Sequence, residues 1–130
     1  MRSIMLSIIV TATPRYKRYA SRARAMLRFL GRSLKKSGAV EVHVVGDGVM
    51  RKNVLSYEAP KNFPRPDMRA RPLGEIYLNP AYIARHGEDV DRMLMHGFLH
   101  LLGYDHKRER DRMKMEKREA QLLAGFRRRA

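Results

Sequence analysis

Three histidines, His96, His100 and His106, fall within the run MHGFLHLLGYDH (95–106). Imidazole nitrogen binds divalent transition metals, and the chain has no cysteine, so a metal here must be held by His, Asp or Glu. On a helix, residues four apart project from one face about 6 Å apart along the axis. His96 and His100 can therefore aim at one point. His106 would sit about 15 Å up the axis from His96 if the helix continued, too far for bonds near 2.1 Å. The chain must turn back between them, and Gly103 is able to take the left-handed conformation that ends helices. Three imidazoles with an open fourth position suit catalytic zinc, with nickel or another divalent ion as alternatives.

The spacing His-x3-His-x2-Gly-x2-His is also that of a class of zinc proteases, which carry Glu directly after the first His as general base. Position 97 is glycine here and accepts no proton. Peptide hydrolysis is therefore not expected, and a metal that lowers the pKa of bound water can drive hydrolysis without a protein base.

Such a centre needs elements to position it. Residues 4–10 (IMLSIIV) are rich in β-branched residues and read as a buried strand. Tyr16, Tyr19, Ala20, Ala23, Met26, Leu27, Leu30 and Leu34 recur at helical spacing between Pro14 and Gly38, with basic residues on the opposite face. Residues 40–46 (VEVHVVG) alternate as a strand, and His43 within it reads as structural. Residues 53–59 and 73–79 complete four strands. Between these last two, residues 60–72 hold four prolines and read as an irregular basic loop. Helices are predicted at 80–86, with His86 exposed and uninvolved, at 90–102 with Asp89 as N-cap, and at 107–124. The expected fold is α+β: one domain over residues 1–130, with a small, mostly mixed four-stranded sheet packed against helices. The metal site falls on a helix of the C-terminal half and the turn after it.

The net charge is +15, and residues 1–40 contain ten Lys or Arg and no Asp or Glu. A one-sign surface of this kind favours polyanions such as nucleic acid, although a generally basic protein would share the composition. The opening MRSIMLSIIVTATP has a short apolar core followed by Arg and Lys where an export signal has a small-residue cleavage site, so it reads as the first strand. No apolar run approaches the roughly 20 residues that cross a bilayer, and no membrane contact is expected. Absence of cysteine fits a reducing cytoplasm.

The run HGFLHLLGYDH (96–106), with LGEIYLNP (73–80) and NVLSY (53–57) upstream, resembles the YbeY family of zinc-dependent endoribonucleases, implicated in ribosomal RNA maturation and ribosome quality control. The family's His-Gly-x-x-His-x-x-Gly-x-Asp-His signature stands complete, and the resemblance spans residues 40–124. It implies a cytoplasmic enzyme that holds zinc on His96, His100 and His106 and cuts single-stranded RNA, with ribosomal RNA or the small ribosomal subunit as partner. The sequence departs from the family where GDGVMRK (46–52) replaces a longer helical segment bearing a functional arginine, and where Glu75 stands in place of Asp. The resemblance makes Arg51 the candidate for that arginine, offsetting charge on the phosphate. Glu75 is a candidate base or hydrogen-bond acceptor, or else a strand-end residue. Asp105 either orients a ligand histidine or shapes the turn. Arg15, Arg18 and Arg22 of the first helix, and Arg65, Arg69 and Arg71 near or within the basic loop, would track the RNA backbone. The alternative function is a non-catalytic ribosome- or RNA-binding assembly factor with a structural metal; a third is a metallohydrolase on another substrate. The oligomeric state is not legible in the sequence.

Overall fold

Apolar residues at every second position in four short segments, and at helical spacing in the longer ones, build a two-layer arrangement in the computed structural model, which describes residues 5–60, 71–104 and 108–129. The strands are β1 (Leu6–Ala12), β2 (Gly38–Val44), β3 (Val54–Glu58) and β4 (Pro72–Leu78). The helices are α1 (Arg18–Ser33), α2 (Pro80–Arg85), α3 (Val90–Leu101) and α4 (Glu109–Arg128). The sheet order is β1-β2-β4-β3, with β1, β2 and β4 parallel and β3 antiparallel to β4. The expected α+β class with a mixed four-stranded sheet is what the chain forms. The irregular basic loop expected at 60–72 falls largely on residues 61–70, which lie outside the described residues, and Arg65 and Arg69 lie there with it.

Helices cover one face of the sheet, and among the described residues the other face is open. Val40, Val42 and Val44 of β2 and Ile76 and Leu78 of β4 are buried, and α1 and α3 pack on them. Residues that alternate with these must point the other way. Ile9 and Tyr57 on that second face are each 54% exposed, so among the described residues no helix covers it. α1 buries Ala23, Met26, Leu27 and Leu30 and leaves Arg18, Arg28 and Arg32 in solvent, as its amphipathic pattern predicts. β1 lies two residues later than the 4–10 expected, because Thr11 and Ala12 continue the parallel ladder against His43 and Val44. α4 also runs past the expected 124 to Arg128, anchored by Phe126, whose ring meets Phe29 edge-on at 5.5 Å. Among the described residues no helix is long and apolar enough to cross a membrane.

Candidate metal centre

The helix that carries the histidines is tightly specified. Asp89 caps α3 by accepting a hydrogen bond from the Asp91 amide over 2.9 Å, as its position predicts. Leu94, Met95, Phe98 and Leu99 then drive one face into the core, leaving His96 and His100 on the flank. Four residues apart, their rings meet at 76° with centroids 4.5 Å apart, and their Nε2 atoms are 3.0 Å apart. α3 ends at Leu101 and the chain turns at Gly103, whose φ is +95°. The Gly103 amide donates to the His100 carbonyl at 3.0 Å and the Tyr104 amide to the Leu99 carbonyl at 3.1 Å, closing the helix end. The helix break thus falls at the glycine that the spacing requires. His106 and Asp105 lie outside the described residues.

Behind His96 stands Glu119 of α4, with its Oε1 2.8 Å from Nδ1 of the imidazole. Glu119 is 4% exposed, and Arg92 Nε lies 3.5 Å from its second oxygen. A carboxylate accepts, so Nδ1 is the nitrogen that donates to Glu119, and Nε2 is the nitrogen that faces His100. Carboxylate support behind a histidine is the arrangement that orients metal-ligating imidazoles and raises their basicity. Sequence reasoning missed Glu119. Its signal was nonetheless present: Met115, Glu119, Leu122 and Phe126 form one buried stripe of α4, and an acid on such a stripe needs a partner.

Gly97 is buried and faces β3 and the core residue Ile76 of β4. A Cβ at this position would lie 3.0 Å from Ser56 Oγ, 3.0 Å from Val54 Cγ2 and 3.2 Å from Ile76 Cγ2. Its carbonyl also accepts a hydrogen bond from Ser56 Oγ at 2.9 Å. The position that holds a glutamate in the proteases is here a close contact between helix and strand. α3 and β3 then form the walls of a cleft of about 740 Å³ lined by Asn53, Ser56, Glu88, His96, His100 and Tyr104. Asn53 ties the walls together, donating to Glu88 at 3.2 Å while its own oxygen accepts from the Val54 amide at 2.7 Å.

The other expected site residues are distributed as follows. Glu75 is not in this cleft. It alternates with Ile76, which faces α3, so its carboxylate emerges on the opposite side of the sheet beside His43 and Glu41. Arg51 is exposed in the β2–β3 connection, close enough to Asp47 to act on it electrostatically. Asp47 itself is held below the usual carboxylate range, first by the Arg85 guanidinium and then by Asn79, and Arg85 is raised in turn by Asp47. Arg15 and Arg18 are exposed, Arg18 lying over the Tyr19 ring. Arg22, expected on the RNA-binding face, makes a two-pronged ion pair with the buried Asp91 at 2.9 and 2.6 Å, so its charge is already engaged. Arg71 lines a second groove with Lys35 and Lys36, and this groove meets the histidine cleft at Glu58 and Gly103.

A profile of the family described as Endoribonuclease YbeY matches residues 11–127. The Endoribonuclease YbeY of Anaeromyxobacter sp. (strain Fw109-5) is 33% identical over 129 residues, covering 82% of this chain and 62% of that protein. The protein of the same name from Rhodopseudomonas palustris is 36% identical over 80 residues, covering 55% of this chain and 42% of the relative. That from Francisella tularensis subsp. novicida is 37% identical over 81 residues, or 55% and 50% of the two chains. The chain spans about half the length of the curated relatives it matches.

Proposed function

The chain belongs to the endoribonuclease YbeY family, and from that premise we propose that it is a single-domain, zinc-dependent endoribonuclease of the cytoplasm. Its substrate in this reading is single-stranded RNA, ribosomal RNA in the first place, cut during rRNA maturation or ribosome quality control. The small ribosomal subunit is the matching partner. One observation carries the reading: two imidazole Nε2 atoms 3.0 Å apart, one of them backed by a buried carboxylate, open into a cleft. That donor set suits a zinc ion, because two imidazole nitrogens converge and a carboxylate stands behind one of them. His106 is the third ligand in this reading, and Asp105 the residue that would orient it.

When bound, zinc on these residues would supply a Lewis acid able to make water nucleophilic near neutral pH and to offset charge on the phosphate. The chain's own residues do the rest. Glu119 keeps His96 in the tautomer that offers a lone pair to the cleft. Asn53 and Ser56 hold β3 against α3, so the cleft keeps its width. Lys35, Lys36 and Arg71 give an emerging strand a run of cations beyond Gly103, and Arg15, Arg18 and Arg51 extend the positive surface.

The test is to measure metal content and single-stranded RNA cleavage of the parent and of His100→Ala, with and without a chelator. The expected result is loss of both metal and cleavage in the variant, and loss of cleavage on chelation with RNA affinity retained. A variant that cuts RNA like the parent overturns the assignment. Metal-loaded parent that binds RNA but never cuts it replaces the enzyme with a binding factor carrying a structural metal.

A further inference from the structure

On the uncovered face of the sheet, Glu41 and Glu75 occupy facing positions of the parallel strands β2 and β4. Like charges directly across a strand pair repel, and in a chain with 28 basic residues it is notable that no Lys or Arg among the described residues pairs with either carboxylate. What lies between them is His43. Its Nε2 is 3.4 Å from Glu41 Oε2 and 3.5 Å from Glu75 Oε1, and it is shielded from solvent with no hydrogen-bond partner among the described residues. Its other nitrogen, Nδ1, is 2.7 Å from Thr11 Oγ1, and the Tyr77 ring packs alongside at 4.8 Å.

Two protonation states could suit this group, and the distances separate them. An imidazolium, or the neutral tautomer with its proton on Nε2 and Nδ1 accepting from Thr11, would bring Nε2 to about 2.8 Å from a carboxylate, the length of a charge-assisted hydrogen bond. Both observed separations are much longer. If Nδ1 instead donates to the Thr11 hydroxyl, Nε2 carries a lone pair aimed between two carboxylates, an arrangement that is repulsive without a cation at its focus. Two bonds of about 2.1 Å at a tetrahedral angle hold their donors about 3.4 Å apart. That is the separation on each side of His43, and the three donor atoms all lie within 4.8 Å of one another. Thr11 then does for His43 what Glu119 does for His96, fixing the tautomer from behind.

We propose that Glu41, His43 and Glu75 form a second metal site, for a divalent transition metal such as zinc, which clamps β2 to β4 on the face opposite the histidine cleft. One imidazole and two carboxylates suit zinc or manganese better than magnesium, which keeps most of its water. The site stands apart from the proposed nuclease cleft and does not depend on it.

Calorimetric titration of the His96→Ala/His100→Ala protein with zinc alone tests this, because the cleft pair is gone. One equivalent should still bind, magnesium should not displace it, and saturating zinc should raise the thermal midpoint by about 5 °C or more. Adding Glu75→Gln, which keeps the side chain's size, should abolish both the binding and the rise, and His43→Gln should do the same. No zinc equivalent in the double variant overturns the site. So does an equivalent that persists when both Glu75→Gln and His43→Gln are added. A His43 imidazole that titrates by NMR as a cation and ignores zinc also overturns it, leaving an ion-paired histidine.

Discussion

His96 Nδ1 and Glu119 Oε1 are 2.8 Å apart although 23 residues separate them in the chain. The contact links α3 to α4 and sets the histidine's donor direction. Glu119→Gln keeps the volume but loses the charge that raises imidazole basicity. Zinc affinity, measured by competition with a chromophoric chelator, is expected to fall about 10- to 100-fold with an unchanged circular dichroism spectrum. Unchanged affinity would reduce Glu119 to a packing role.

Gly97 makes a second kind of prediction, about space. With three side-chain atoms at 3.0–3.2 Å from its absent Cβ, Gly97→Ala must push Ser56, Val54 and Ile76 back by a few tenths of an ångström. A loss of about 1–3 kcal/mol in urea unfolding is expected, together with reduced cleavage because the cleft walls part. Gly97→Glu, which restores the protease residue, should give a poorly folded protein with no peptidase activity.

The node at the C-terminal ends of β2 and β4 has a pH dependence. Asn79, fully buried, donates to Asp47 at 3.0 Å and to the Met50 carbonyl at 2.8 Å, and caps α2 by accepting from the Tyr82 amide at 3.1 Å. Because Arg85 and Asn79 hold Asp47 below its usual range, its stabilising effect is present above the ordinary carboxylate pKa and is lost as pH falls through the lowered value. The parent should therefore exceed Asp47→Asn in urea midpoint at pH 7, and the two should converge in acid well below about pH 4. A gap that persists in acid would assign the effect to packing.

Arg22 and the basic groove allow structural charge to be told apart from the charge proposed to bind RNA. Asp91→Ala is expected to cost about 1–2 kcal/mol of stability, since Arg22 is half in solvent, and to leave RNA affinity unchanged. Replacing Lys35, Lys36 and Arg71 together by Gln should instead leave stability intact and lower the slope of log affinity against log salt by about 2, each phosphate contact on a single strand contributing about 0.7. An unchanged slope would remove this groove from the RNA path.

The elements that sequence made legible are those whose signals are local. The α1 stripe, the Asp89 cap and the Gly103 break each depend on residues a few positions apart, and each stands where expected. The order of strands was not legible, because insertion of β4 between β2 and β3 is decided by pairings across the whole chain. Position across strands likewise hid two partners. Glu41 and His43 are visible on one face from alternation alone, but only the β2–β4 register brings Glu75 to them. Glu75 was a candidate for the histidine cleft as well as for a strand-end role, and a strand's two-residue period carries it to the other side. Glu119 was missed for the same reason: its partner comes from a different helix.

Among the described residues β3 pairs with β4 alone, and β4 is made after it. During synthesis the strand that walls the cleft therefore has nothing to join until Leu78 has emerged, and His96 gains its carboxylate only once residue 119 has followed. The cleft wall and the carboxylate behind His96 are thus both late acquisitions of folding, each waiting on a partner from far along the chain.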